Sequence, residues 1–131
     1  MSELPPSPFD EHIGTEWLEI GPEEARGRIA VADHHKQPVG LVHGGLYATL
    51  AESICSRATA LAVVPEGMAP LGQSNNATFL RPITEGHVNA LARRRHAGRT
   101  TWIWDVEISD DEGRLCALVR MTIAVRPLAG A

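Results

Sequence analysis

The chain has 131 residues, 44% of them hydrophobic and 21% charged, enough for one globular domain that needs no metal or disulfide to hold its core. Twelve Lys and Arg against sixteen Asp and Glu give a formal net charge of −4, which argues against a general nucleic-acid or membrane-surface binder. No basic segment followed by an apolar run opens the chain and no stretch nears the ~20 apolar residues of a membrane helix, so a soluble, cytoplasmic domain is expected.

Residues 1–12 open with a proline-rich run and are expected to form a flexible arm, ahead of a single domain over residues 13–131. Short strands are expected at Trp17 to Ile20 and Arg28 to Ala32, separated by the turn-prone Gly21-Pro22. Asp33 to Gly40, with two His, a Pro and a Gly, reads as a loop. From Gly44 to about Val63 the pattern turns helical. Leu46, Leu50, Ile54, Ala58 and Leu61 fall in one stripe, glycines precede it and Pro65-Glu66-Gly67 closes it. After Pro70 the period becomes two. Val88, Ala90 and Ala92 alternate, then Trp102, Trp104, Val106 and Ile108, then Leu115 to Val125. Ala97-Gly98 and Asp110-Asp111-Glu112-Gly113 supply the turns between these runs. The expected fold class is α+β: one long helix wrapped by a curved antiparallel sheet of five or six strands.

Glu52 projects about 170° from the apolar stripe at 100° per residue, with Ser56 one turn further along the same face. A lone glutamate there is ordinarily a solvated side chain. The surrounding face is not charged, however, but built from Gly45, Ala48, Thr49, Ser53, Ser56 and Thr59. Small and hydroxyl residues fit a face packed against a ligand or another chain. The helix also starts at Gly44-Gly45, where uncovered N–H groups and the positive helix end can stabilise an oxyanion. Eight residues from Gly44 to Glu52 make about 12 Å at ~1.5 Å per residue. One small carbonyl cannot touch both groups at hydrogen-bonding distance, so a shared site takes Gly44 from one subunit and Glu52 from another. A dimer is then required.

The run His43-Gly44-Gly45-Leu46-Tyr47-Ala48-Thr49-Leu50-Ala51-Glu52 resembles the signature of hotdog-fold acyl-CoA thioesterases, on their phenylacetate-degradation (PaaI-like) side and in the branch that uses glutamate. Gly72-Gln73-Ser74-Asn75, Phe79-Leu80-Arg81-Pro82, Glu85-Gly86-His87-Val88, His96 to Trp102 and Ile123 to Pro127 extend the likeness toward 4-hydroxybenzoyl-CoA thioesterase, over roughly residues 15–127. The resemblance implies hydrolysis of an aromatic acyl-CoA in aromatic-compound degradation. Glu52 would be nucleophile or general base, and the choice between an anhydride and activated water stays open. The Gly44 N–H would polarise the thioester carbonyl, Gly45 would allow close approach and His43 would position the entering loop. Gln37 would contact the carbonyl or the leaving sulfur, and Ser56, where relatives carry threonine, would orient the carboxylate or water. Arg81, Arg99, Thr100 and Arg126 are candidates for the CoA phosphates, with Arg99 standing where a small hydroxyl residue is expected. No cofactor is implied, since coenzyme A is part of the substrate. A homo-oligomer is implied, with a tetramer built as a dimer of dimers. 1,4-Dihydroxy-2-naphthoyl-CoA and phenylacetyl-CoA are alternative substrates, and a hotdog dehydratase or a non-catalytic acyl-CoA-binding protein are alternative functions.

Three other residue groups carry competing readings. His34, His35 and His43 lack the carboxylate or Cys spacing of a zinc site, so no metal is expected. Cys55 and Cys116 read as core residues rather than nucleophiles or a disulfide framework. Trp102 and Trp104 read as sheet core or subunit interface, with an aromatic acyl pocket as the minority reading, and Arg93-Arg94-Arg95 as a charged strand edge.

Overall fold

A computed structural model describes residues 4–128. Helix α1 (Pro8–Ile13) leads into strands β1 (Thr15–Ile20) and β2 (Glu24–Ala30). Helix α2 (Gly44–Val63) follows, then β3 (Met68–Phe79), β4 (His87–Ala97), β5 (Thr101–Ser109) and β6 (Leu115–Pro127). The six strands form one antiparallel sheet in the order β1-β2-β4-β5-β6-β3, curled around α2. This is the expected hotdog arrangement, a long helix wrapped by a sheet. The arm expected over residues 1–12 is ordered as a helix from Pro8, because Ser7 caps it through Asp10 N–H (3.2 Å) and Gly14 closes it at φ 81°.

The alternation of the sequence maps onto the two faces of the sheet. Val88, Ala90, Ala92, Trp104, Val106, Ile108, Val119, Met121 and Ile123 point inward and are buried. The outward residues between them pair across strands: Arg93 lies between Glu24 (3.7 Å) and Glu107 (3.9 Å), and Arg120 and Arg95 both meet Asp105 (2.8 and 3.5 Å). Arg94 donates to the Pro22 carbonyl at 2.9 Å and lies 5.0 Å over the Trp102 ring. The arginine run is therefore a structural strand edge. At the β5–β6 turn, the Asp110 carboxylate accepts from the Glu112 and Arg114 amides and from Arg114 Nε at 2.7 Å.

The helix buries more than the stripe read from the sequence. Leu46, Leu50, Ile54 and Ala58 are buried as expected, but so are Tyr47, Ala51, Cys55 and Thr59, whereas Leu61 is only partly covered. The sheet curls far enough to close over a second row. Thr59, expected on the Glu52 face, belongs to this row. Its hydroxyl donates to the Cys55 carbonyl (2.7 Å) and accepts from Trp104 Nε1 (3.0 Å), with Thr59 and Trp104 both fully buried. Trp104 is thus core and lines no acyl pocket. Thr59→Val keeps the volume but strands the indole N–H, so urea denaturation should show a loss of about 1–3 kcal/mol.

Candidate active site

Helix α2 opens in a way that leaves one amide unused. His43 is its N-cap, with Nδ1 accepting from the Gly45 N–H at 2.9 Å and the carbonyl accepting from the Leu46 N–H at 2.9 Å. Of the two glycine N–H groups expected to be open, Gly45 is therefore occupied by the cap. The Gly44 N–H has no acceptor among the described residues. Gly44 also carries the Phe79 ring against it: a Cβ at this position would lie 2.7 Å from Phe79 Cε2. Tyr47, buried one turn on, meets the Phe79 ring edge-on at 5.8 Å, and its hydroxyl accepts from the Ile83 N–H at 3.1 Å. The aromatic pair and the segment after β3 thus hold the Gly44 end in place.

The loop before the helix is held from below by His35. Its Nδ1 accepts from the Ala32 N–H (2.9 Å), its Nε2 bonds the Ile13 carbonyl (2.8 Å), and its own carbonyl accepts from the His43 N–H (2.9 Å). Both ring nitrogens are occupied by protein groups, which removes this histidine from any ligand set. Burial holds its pKa below the ordinary histidine value, with the Ile13 carbonyl opposing and His34, its rings 4.2 Å away, adding to the depression. A depressed folded pKa means that the unfolded chain takes up the proton first on acidification. His35 therefore contributes stability that is full above about pH 6.5 and is lost as pH falls through the lower folded value. Thermal melts from pH 7.5 to 5 should show this slope in the wild type and a flatter one in His35→Gln.

Gln37 sits in the turn that follows, where its Oε1 accepts from the Val39 N–H at 2.6 Å and its carbonyl from Gly40 at 3.0 Å. Glu52 is exposed two turns along α2 from Gly44. Strand β3 crosses beside it. Asn75 Nδ2 donates to the Ala48 carbonyl at 2.9 Å and to Glu52 Oε1 at 3.3 Å, and a Cβ on Gly72 would come within 3.4 Å of Glu52 Oε2. The two residues that shape the carboxylate's surroundings, Asn75 and Gly72, carry no catalytic signature of their own in sequence. Ser56 and Glu52 line the same shallow depression, as their spacing predicts. Cys55 points the other way, fully buried, and burial pushes its thiol well above the ordinary cysteine pKa.

The arginine candidates separate into two sets. Arg126 Nη1 donates to the Thr100 carbonyl (2.8 Å), and the Val125 N–H bonds the same oxygen, so Arg99, Thr100 and Arg126 gather at one end of the sheet. The Arg81 N–H bonds the Cys116 carbonyl at the opposite end of β6. Ten residues of strand at ~3.3 Å each put it about 33 Å from Arg126.

Residues 39–117, which span α2 and the strands that cross it, match the thioesterase superfamily model. The chain belongs to the thioesterase superfamily. It is 39% identical over 118 residues to PA1618 of Pseudomonas aeruginosa, covering 90% of this chain and 81% of that one. A crystal structure of a variant of thioesterase PA1618 superposes with a TM-score of 0.88 over 92% of this chain and 86% of that chain. Thioesterase HI1161 of Haemophilus influenzae, 34% identical, gives a TM-score of 0.86 over 92% of this chain and 83% of that one. As an enzyme, the protein is a thioesterase. No described helix is long and apolar enough to cross a membrane.

Proposed function

We propose that this enzyme hydrolyses an aromatic acyl-CoA to the free acid and CoA, with 4-hydroxybenzoyl-CoA as the first substrate to test. The observation that carries this reading is the exposed Glu52 carboxylate, steadied by Asn75, on the same helix as a Gly44 N–H that has no acceptor among the described residues. Glu52 either activates water or attacks the thioester carbon itself. In both routes a C–O bond forms, the C–S bond breaks and the sulfur leaves as thiolate to be protonated. Attack by Glu52 gives an acyl anhydride, which water then hydrolyses to free the acid and restore the carboxylate. The Gly44 N–H meets the oxygen on which charge builds. Solved variants of the Staphylococcus aureus protein SAV0944 replace a glutamine and a glutamate by alanine, fifteen residues apart. Gln37 and Glu52 have the same spacing, which supports a place for Gln37 beside the reacting group.

The site is completed by a second copy. Strand β3 is a twelve-residue edge strand with no Asp, Glu, Lys or Arg, and its residues 71–76 are exposed. An edge so long and uncharged is a template for pairing. Antiparallel pairing of two β3 strands lays one α2 against the other and brings one protomer's Gly44 toward its partner's Glu52. Leu18, Leu115 and Leu118, exposed on the outer sheet face, support association of two dimers into a tetramer. Arg99, Thr100 and Arg126 form the basic edge for the CoA phosphates, while Arg81 reaches the same CoA only from the partner.

1,4-Dihydroxy-2-naphthoyl-CoA and phenylacetyl-CoA share the thioester and the aromatic ring, so the substrate test is a panel of acyl-CoAs ranked by kcat/KM with thiol trapping. The reading expects aromatic acyl groups at the top. Absence of CoA release from the whole panel would replace hydrolysis by binding alone.

A further inference from the structure

Glu52 stands on a ridge between two depressions, and the N-terminal segment walls both. On one side a larger depression of about 350 Å³ combines apolar Leu4, Pro5, Ala60 and Pro70 with the charged Asp10 and Arg57. On the other side it is Phe9, Ala48, Thr49, Ser53 and Asn75, with no charged side chain except Glu52 itself. This second depression measures about 180 Å³, against roughly 150 Å³ for a cavity that takes up benzene. Phe9 is its one large apolar group, and it is 57% exposed although it belongs to an ordered helix. α1 buries only Ile13, so Phe9 does not serve the core.

What holds Phe9 there is a hydrogen bond to the residue after the catalytic carboxylate: Ser53 Oγ donates to Asp10 Oδ1 at 2.7 Å, partly buried. Buried Ile13, with its carbonyl on His35, anchors the far end of α1, so the Asp10–Ser53 bond sets how closely the Phe9 end of the helix approaches α2. We infer that Phe9 is a specificity-determining residue that packs on the acyl group of the substrate, and that the Asp10–Ser53 bond is the latch that presents it. The inference rests on the hydrolysis reading above. A thioester carbon beside Glu52 places its acyl group in one of the two depressions, and an aromatic ring gains contact on the uncharged, Phe9-walled side. A short straight acyl chain gains much less from the same wall.

The test measures kcat/KM for benzoyl-CoA and butanoyl-CoA on the full chain, in wild type, Phe9→Ala and Ser53→Ala. The benzoyl-to-butanoyl ratio should fall about tenfold in Phe9→Ala, the size of a lost apolar pocket contact, and severalfold in Ser53→Ala, which keeps the ring but frees the helix. A ratio within twofold of wild type in Phe9→Ala, whether or not both rates drop together, overturns the inference. Wild type that releases CoA from either substrate in a Glu52-dependent way keeps the hydrolysis reading intact in that event. Wild type that releases CoA from neither removes both.

Discussion

Replacing Glu52 by alanine is expected to lower kcat about 10²–10⁴-fold, the range for loss of a positioned acid–base group, with the fold unchanged. The side chain is exposed, and among the described residues its side-chain partner is the Asn75 amide at 3.3 Å. Removing it creates no cavity and strands no buried charge, so Tm and circular dichroism should match the wild type. Asn75 keeps its 2.9 Å bond to the Ala48 carbonyl in the variant, so the β3–α2 crossing survives. A loss confined to kcat separates a group that acts on the reacting carbon from one that merely helps substrate to bind. An exposed glutamate with no chemical role would show neither effect.

Gly44→Ala attacks the other half of the site by a different route. The variant keeps the amide N–H but adds a methyl 2.7 Å from Phe79 Cε2 and 2.9 Å from Cζ, closer than real carbon contacts allow. Either the ring swings away or the first turn of α2 shifts. A displacement near 1 Å at a catalytic donor costs on the order of 10²-fold in rate, and that is the expected fall in kcat. Gly44→Ala combined with Phe79→Leu relieves the clash and should recover much of the loss. The double variant distinguishes displacement of the donor from a general intolerance of the added methyl, because the two residues are in contact and their effects should not add.

The helix, strands β4, β5 and β6 and the turns between them were legible because each has a buried face and therefore a readable period. Trp104, Val106 and Ile108 point into the core, and Asp105 and Glu107 do not. Strand β3 showed no such period. Residues 71–76 are all exposed along the open edge and the register shifts between Gly72 and Ser74, so hydrophobicity does not alternate. The ordering of α1 was hidden for a related reason. It is held by the Ser7 cap, the Gly14 turn, the single buried Ile13 with its carbonyl on His35, and the Ser53 contact, not by an apolar stripe. The motif run singled out Glu52 and Gly44 as candidates, but not which glycine amide stays open, since that depends on His43 turning its ring back onto Gly45. Nor did it show that Arg81 stands apart from Arg99, Thr100 and Arg126, because only strand pairing puts residues 81 and 116 together.

The most direct measurement of a site shared between two chains is complementation. Glu52→Ala and Gly44→Ala, each nearly inactive alone, are mixed under conditions that exchange subunits, and CoA release is followed by thiol trapping. In a mixed dimer one site unites an intact Gly44 with an intact Glu52 and the other holds both replacements. At equal amounts, random pairing of a two-fold dimer gives about a quarter of wild-type activity. Activity that stays at the level of the separate variants, in a mixture shown to contain mixed dimers, would contradict the account.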